Sequence, residues 1–92
     1  MEIHFQTDKK LIVVDCRELF PPEPMEKVLE AVHAMQEDEA VLMVHRKEPF
    51  HLYERLDERG CDYEVKKFDD GGAAFYSGPK DKLFAIKVDK DN

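Results

Sequence analysis

Cysteine is scarce in this chain. Cys16 and Cys61 are the only two among 92 residues, too few for a disulfide framework and readable as reduced thiols of an intracellular protein. There is no Cys-x-x-Cys and no pair of histidines one helical turn apart, so the common zinc spacings are missing. A Ser/His/Asp arrangement and a glycine-rich phosphate loop are missing too. Gly71-Gly72 follows two aspartates and reads as a hairpin turn rather than a phosphate cradle. The longest wholly apolar runs, residues 11–14 and 40–44, fall far short of the ~18 residues of a membrane helix. The first ten residues carry no apolar signal core, which points to a cytoplasmic protein. Positive charge is in deficit: 14 Lys+Arg stand against 21 Asp+Glu, a formal net charge of -7. Such a chain repels phosphate backbones at long range, which sets aside nucleic acid and anionic membranes as partners.

What is present suits one globular domain spanning residues 1–92. Hydrophobic residues make up 42% of the chain, too many for a disordered segment. Leu11-Ile12-Val13-Val14 is a short β-branched run, read as a buried strand. Phe20-Pro21-Pro22-Glu23-Pro24 follows as a stiff connector, because proline fixes φ and holds its predecessor extended. Pro24 fits the first turn of a helix, where a missing N–H costs nothing. Met25, Val28, Leu29, Val32 and Met35 then recur at helical spacing, predicting a helix over residues 24–36. Ala40-Val41-Leu42-Met43-Val44 reads as a second buried strand. A second helix starts at Pro49, with Phe50, Tyr53 and Leu56 inward, Leu52 alongside and Gly60 as its C-terminal cap. Residues 63–68 and 83–88 complete a β-α-β-α-β-β order. Right-handed crossovers make the strands of each βα pair parallel. Two helices cover one face of a four-stranded sheet, giving a two-layer α/β sandwich. The first two strands are nevertheless apolar on both faces. The second face is expected to be covered by Ile3-His4-Phe5, by Ala73-Ala74-Phe75-Tyr76, or by a partner chain.

Parallel topology brings the C-terminal ends of the first two strands, and both helix starts, to one edge of the sheet. Ligands of open α/β sheets favour that edge. Arg17, Glu23, His45, Arg46, Lys47 and His51 should gather there. The functional reading is a site for a small anion or a partner's carboxylate, with Arg17, Glu23, His45, Arg46 and His51 as its residues. The plainer reading is a solvated loop in which Arg17 pairs with Glu23 or Glu48. His45 and His51 could share a metal with Glu23 or Cys16, but the spacing is unspecific. Neither cysteine occupies an activating position: Cys16 ends a strand, and Cys61 packs as a small hydrophobe.

Asp15-Cys16-Arg17-Glu18-Leu19-Phe20-Pro21-Pro22-Glu23-Pro24-Met25 resembles the signature of the TusA/SirA-like family. Those small bacterial proteins carry Asp-x-Arg-Gly-x-x-Cys-Pro-x-Pro between first strand and first helix. The resemblance implies a mixed four-stranded sheet with two helices on one face, and, in the sulfur-relay members, persulfide transfer by the signature cysteine. Here Pro21 stands at that cysteine's position and Glu18 at the glycine's. The run Arg17-x-Leu19-x-Pro21-Pro22-Glu23-Pro24-Met25-Glu26, with Arg46-Lys47-Glu48-Pro49-Phe50-x-Leu52 and Glu58-Arg59-Gly60, is similar to an uncharacterised bacterial branch that lacks the cysteine, a domain of unknown function. The expectation is a non-enzymatic binding or accessory module without a cofactor, a monomer or weak homodimer, acting on a protein partner or small anion. The alternatives are a sulfur carrier using Cys16 or Cys61, and a histidine-ligated metal protein. Residues 71–82 form an insertion longer than such a fold needs.

Overall fold

Three of the four strands run the same way, and the fourth lies among them in the opposite sense. In the computed structural model, which describes residues 5–68 and 83–89, the order is β1 (Lys10–Asp15), α1 (Glu23–Ala34), β2 (Glu39–His45), α2 (Phe50–Glu58), β3 (Asp62–Phe68) and β4 (Leu83–Asp89). The sheet order is β1-β2-β4-β3. β1 pairs with β2 in parallel, Lys10 opposite Glu39 through Asp15 opposite Val44. β4 is antiparallel to both β2 and β3. The two-layer arrangement expected from the element order is present, and the sheet is mixed, as the family resemblance implied.

The strand pleat sorts side chains between two apolar clusters. On the helix face, Val41 and Met43 of β2 and Ile86 and Val88 of β4 pack with Val28 and Val32 of α1 and Leu52 and Leu56 of α2. On the other face, Leu42 and Val44 join Leu83 and Ala85. β2 and β4 are the inner strands, so both of their faces are buried, and continuous apolar runs are what such strands require. Phe5 is buried against the second face, and Lys66 Nζ stands 4.7 Å from its ring centroid, a cation–π contact. The expected cover by the first segment therefore holds for Phe5. Ile3, His4, the 73–76 segment and the 71–82 insertion lie outside the described residues. Val13, on the same face of edge strand β1, is 61% exposed.

Local chemistry sets the helix ends. Both helices begin at proline, with Pro22 and Pro49 at the N-caps and no side-chain cap bond at either. The Pro21–Pro22 peptide is cis. α2 closes as a Schellman turn: Cys61 N–H donates to the Leu56 carbonyl at 3.0 Å, and Gly60 N–H to that of Asp57 at 3.1 Å. Gly60 takes φ +69° there, a conformation that costs other residues a steric clash. One expectation for α2 needs correction. Leu52 and Leu56 are its buried pair, Tyr53 is half-buried, and Phe50 is 64% exposed. Phe50 is the first helical residue, so its ring lies at the open end of the sheet rather than over it.

Candidate functional site at the proline-led helix starts

The parallel register of β1 and β2 continues past the strand end, where Cys16 N–H donates to the Val44 carbonyl at 2.8 Å. That places Cys16 beside His45. Period-two alternation along β2 sends Met43 and His45 to the helix face. The connectors leaving β1 and β2 then rise over them into α1 and α2. Between the two helix starts lies a cavity of about 380 Å³, lined by Pro21, Pro22, Pro24 and Met25 from the first connector and α1, by Met43 and His45 from β2, and by residues 47–52 from the second connector and α2. Four prolines from two separate helix starts thus share one wall, as the common strand direction requires. An exposed aromatic ring, Phe50, lines the cavity, and Phe20, 82% exposed, immediately precedes the lining residue Pro21 in the chain.

The residues singled out in the sequence divide into two groups. His45, Lys47 and His51 line the cavity. Arg17, Glu23 and Arg46 are not among its lining residues. Arg17 forks onto Asp15, with Nε to Oδ1 at 2.9 Å and Nη2 to Oδ2 at 2.6 Å, and its own N–H donates to Oδ1 at 3.1 Å. The expected pairing with Glu23 or Glu48 is replaced by this closer carboxylate two residues away, which already reaches both the backbone and the guanidinium. The Arg17 hydrogen bonds hold the Asp15 carboxyl below its ordinary range. Arg46 pairs with Glu18 at 3.3 Å. Glu23 is exposed in the first turn of α1.

His45 is the buried polar group of the site, only 9% exposed. Its Nδ1 sits 3.1 Å from the Cys16 carbonyl oxygen. Burial pushes its pKa down, and Lys47 adds to this, against the opposing effect of the Cys16 bond. A depressed folded value means that His45 supports the fold fully above its ordinary pKa of 6.5 and loses that support as pH falls through the folded value. The imidazole C–H resonance of His45 should therefore titrate with a midpoint below 6.5; a midpoint at or above it would refute the burial effect. Glu48 accepts a hydrogen bond from Tyr53 Oη at 3.2 Å. Burial and this carboxylate raise the Tyr53 phenol well above its ordinary range, so it remains a donor. Tyr53 in turn stacks on Tyr63 with centroids 4.9 Å apart, which anchors the second connector to β3 through α2.

Cys16 is fully buried. Burial first, then the charges of Asp15 and Glu23, push its thiol up to about 11. Cys61 packs into the helix-face cluster, as its place after Gly60 suggested. Among the described residues, no group of three or more His, Cys, Asp or Glu is placed to hold a metal ion, and no helix is long and apolar enough to cross a membrane.

Residues 13–73, about two thirds of the chain, match the family described as "Uncharacterized conserved protein (DUF2249)". The chain belongs to that family. The DUF2249 match takes in both proline-led connectors and every lining residue of the cavity. No curated protein and no solved structure gives a significant match.

What reasoning from sequence missed is the apolar character of this cavity. Met25, Met43 and Leu52 were legible only as core positions of separate elements. Their meeting at one opening depends on how α1 and α2 diverge from the sheet edge, which no local pattern encodes.

Proposed function

We propose that this protein is a non-enzymatic binding or accessory module of the bacterial cytoplasm that holds a small organic molecule in the cavity between its two helix starts. The observation that carries this reading is the cavity itself, a concave surface at the sheet edge walled by prolines, methionines, Phe50 and Leu52, with His45 at its buried side. Concave, mainly apolar sites with a few placed polar groups are the usual form of small-molecule sites. The prolines also argue against a bare inorganic anion as ligand. Pro22, Pro24 and Pro49 have no N–H to offer at the helix starts, and the Glu23 N–H is spent on the Phe20 carbonyl at 3.0 Å. An acidic group on an otherwise apolar ligand has Lys47 and His51 on the exposed side to meet.

The TusA/SirA resemblance fits this reading as kinship without the relay chemistry. Pro21, at the position of the carrier cysteine, forms part of the cavity wall. The sulfur-carrier alternative has less support, because Cys16 is buried and protonated at neutral pH and Cys61 belongs to the core. A histidine-held metal would have to rely on His45 and His51, the two imidazoles that share the cavity.

Burying roughly 150 Å² of ring at about 25 cal/mol per Å² gives about 4 kcal/mol, which places simple aromatic probes near millimolar affinity. The test is a titration with 1-naphthoate and, separately, with inorganic phosphate, read by amide shifts. Naphthoate should move Met25, Met43, His45, Phe50 and Leu52 above all others, while phosphate leaves them in place. Naphthoate shifts that are absent, or scattered over the surface, would overturn the reading.

A further inference from the structure

His45 has one edge of its ring already committed. Nδ1 faces the Cys16 carbonyl oxygen at 3.1 Å, and a carbonyl oxygen only accepts, so Nδ1 carries the proton. In the neutral imidazole the other nitrogen, Nε2, then holds a lone pair. Neutrality agrees with the burial of the ring and the downward shift that burial imposes, and among the described residues no carboxylate forms an ion pair with it. The same ring lines the cavity, alongside prolines, methionines, Phe50 and Leu52 that have no side-chain donor to give it. Lys47 and His51, by contrast, are exposed, and Glu48 is engaged by Tyr53. Beside its apolar wall the cavity therefore holds one buried imidazole whose Nε2 can accept a hydrogen bond. An acceptor beside a mainly apolar wall, when met by a ligand donor, gives both affinity and orientation.

We infer that the ligand is a one- or two-ring aromatic or heteroaromatic molecule bearing a hydroxyl or ring N–H, and that His45 Nε2 receives its hydrogen bond. The volume, at the low end for small-molecule sites, suits one or two rings. Proline and methionine walls beside an exposed Phe50 suit a flat apolar body. This inference rests on the reading of the cavity as a ligand site and goes further by assigning the ligand's polar group.

The test compares 2-naphthol with 2-methoxynaphthalene, the same ring system with and without the donor, on the intact protein. 2-Naphthol should bind roughly five- to tenfold more tightly. The His45 Nε2 nitrogen resonance should move upfield with 2-naphthol and stay in place with the ether. His45→Phe should erase the preference. Equal affinities, a preference for the ether, an unmoved Nε2, or a preference that survives His45→Phe would each overturn the inference. If the substituted protein does not fold, the nitrogen shift in the native protein decides alone. If 1-naphthoate binds at the cavity and neither naphthalene does, the donor assignment fails while the cavity reading stands. If none of the three binds, both fail.

Discussion

Ile86→Ala should lower the unfolding free energy by about 2–5 kcal/mol, the range for truncating a buried isoleucine or leucine. Ile86 is fully buried on the helix face of β4, opposite Met43 on one side and Val65 on the other. Among the described strands, β4 alone is bonded to both β2 and β3, and it is buried on both faces, so the void opens inside the sheet's core. A domain of this size has on the order of 5–10 kcal/mol in total, and the substitution removes a large share of it. Urea unfolding followed by circular dichroism measures the loss. Val13→Ala is the matched control: Val13 is an apolar strand residue too, but it is exposed at the edge, and its truncation should change stability by under about 0.5 kcal/mol. Equal losses at the two positions would contradict the assignment of inner and edge strands.

Cys16 should resist alkylation by roughly a hundredfold relative to an ordinary thiol. A thiol raised from 9.0 to about 11 carries about one hundredth of the usual thiolate at pH 8, and the thiolate is the nucleophile. Full burial slows attack further. Iodoacetamide labelling of folded protein, with the modified site located by peptide mass, gives the rate, and labelling in denaturant gives the reference. A Cys16 rate in the folded protein close to the reference would contradict the burial and revive the sulfur-carrier alternative.

Reading the sequence went furthest where a residue's effect is local. Pro24 and Pro49 mark helix starts because a ring in place of an N–H suits only that turn, and Gly60 marks a helix end because the Schellman turn needs positive φ. The apolar runs of residues 11–14 and 40–44 marked two strands, and the burial of β2 on both faces explains the second of them. Phe50 misled because hydrophobicity alone reads as inward. Its stripe and the Leu52–Leu56 stripe share Leu56, and only the position of the sheet edge chooses between them. The arginines expected at the site were legible as charges but not as partners: Asp15 stands two residues from Arg17, whereas Glu18 lies 28 residues from Arg46 and meets it only through the fold. Within the cavity, the convergence of His45, Lys47 and His51 followed from parallel strands, while the methionine and proline walls needed the third dimension.

The methionines supply the most direct measurement. Met25 and Met43 line the cavity, whereas Met35 is buried at the far end of α1, away from it. With methionine methyl groups labelled with carbon-13, nuclear Overhauser effects from the ring protons of bound 1-naphthoate should reach the Met25 and Met43 methyls and not that of Met35. Ring contacts to Met35 in place of those two, or contacts to none of the three, would contradict a ligand held between the two proline-led helix starts.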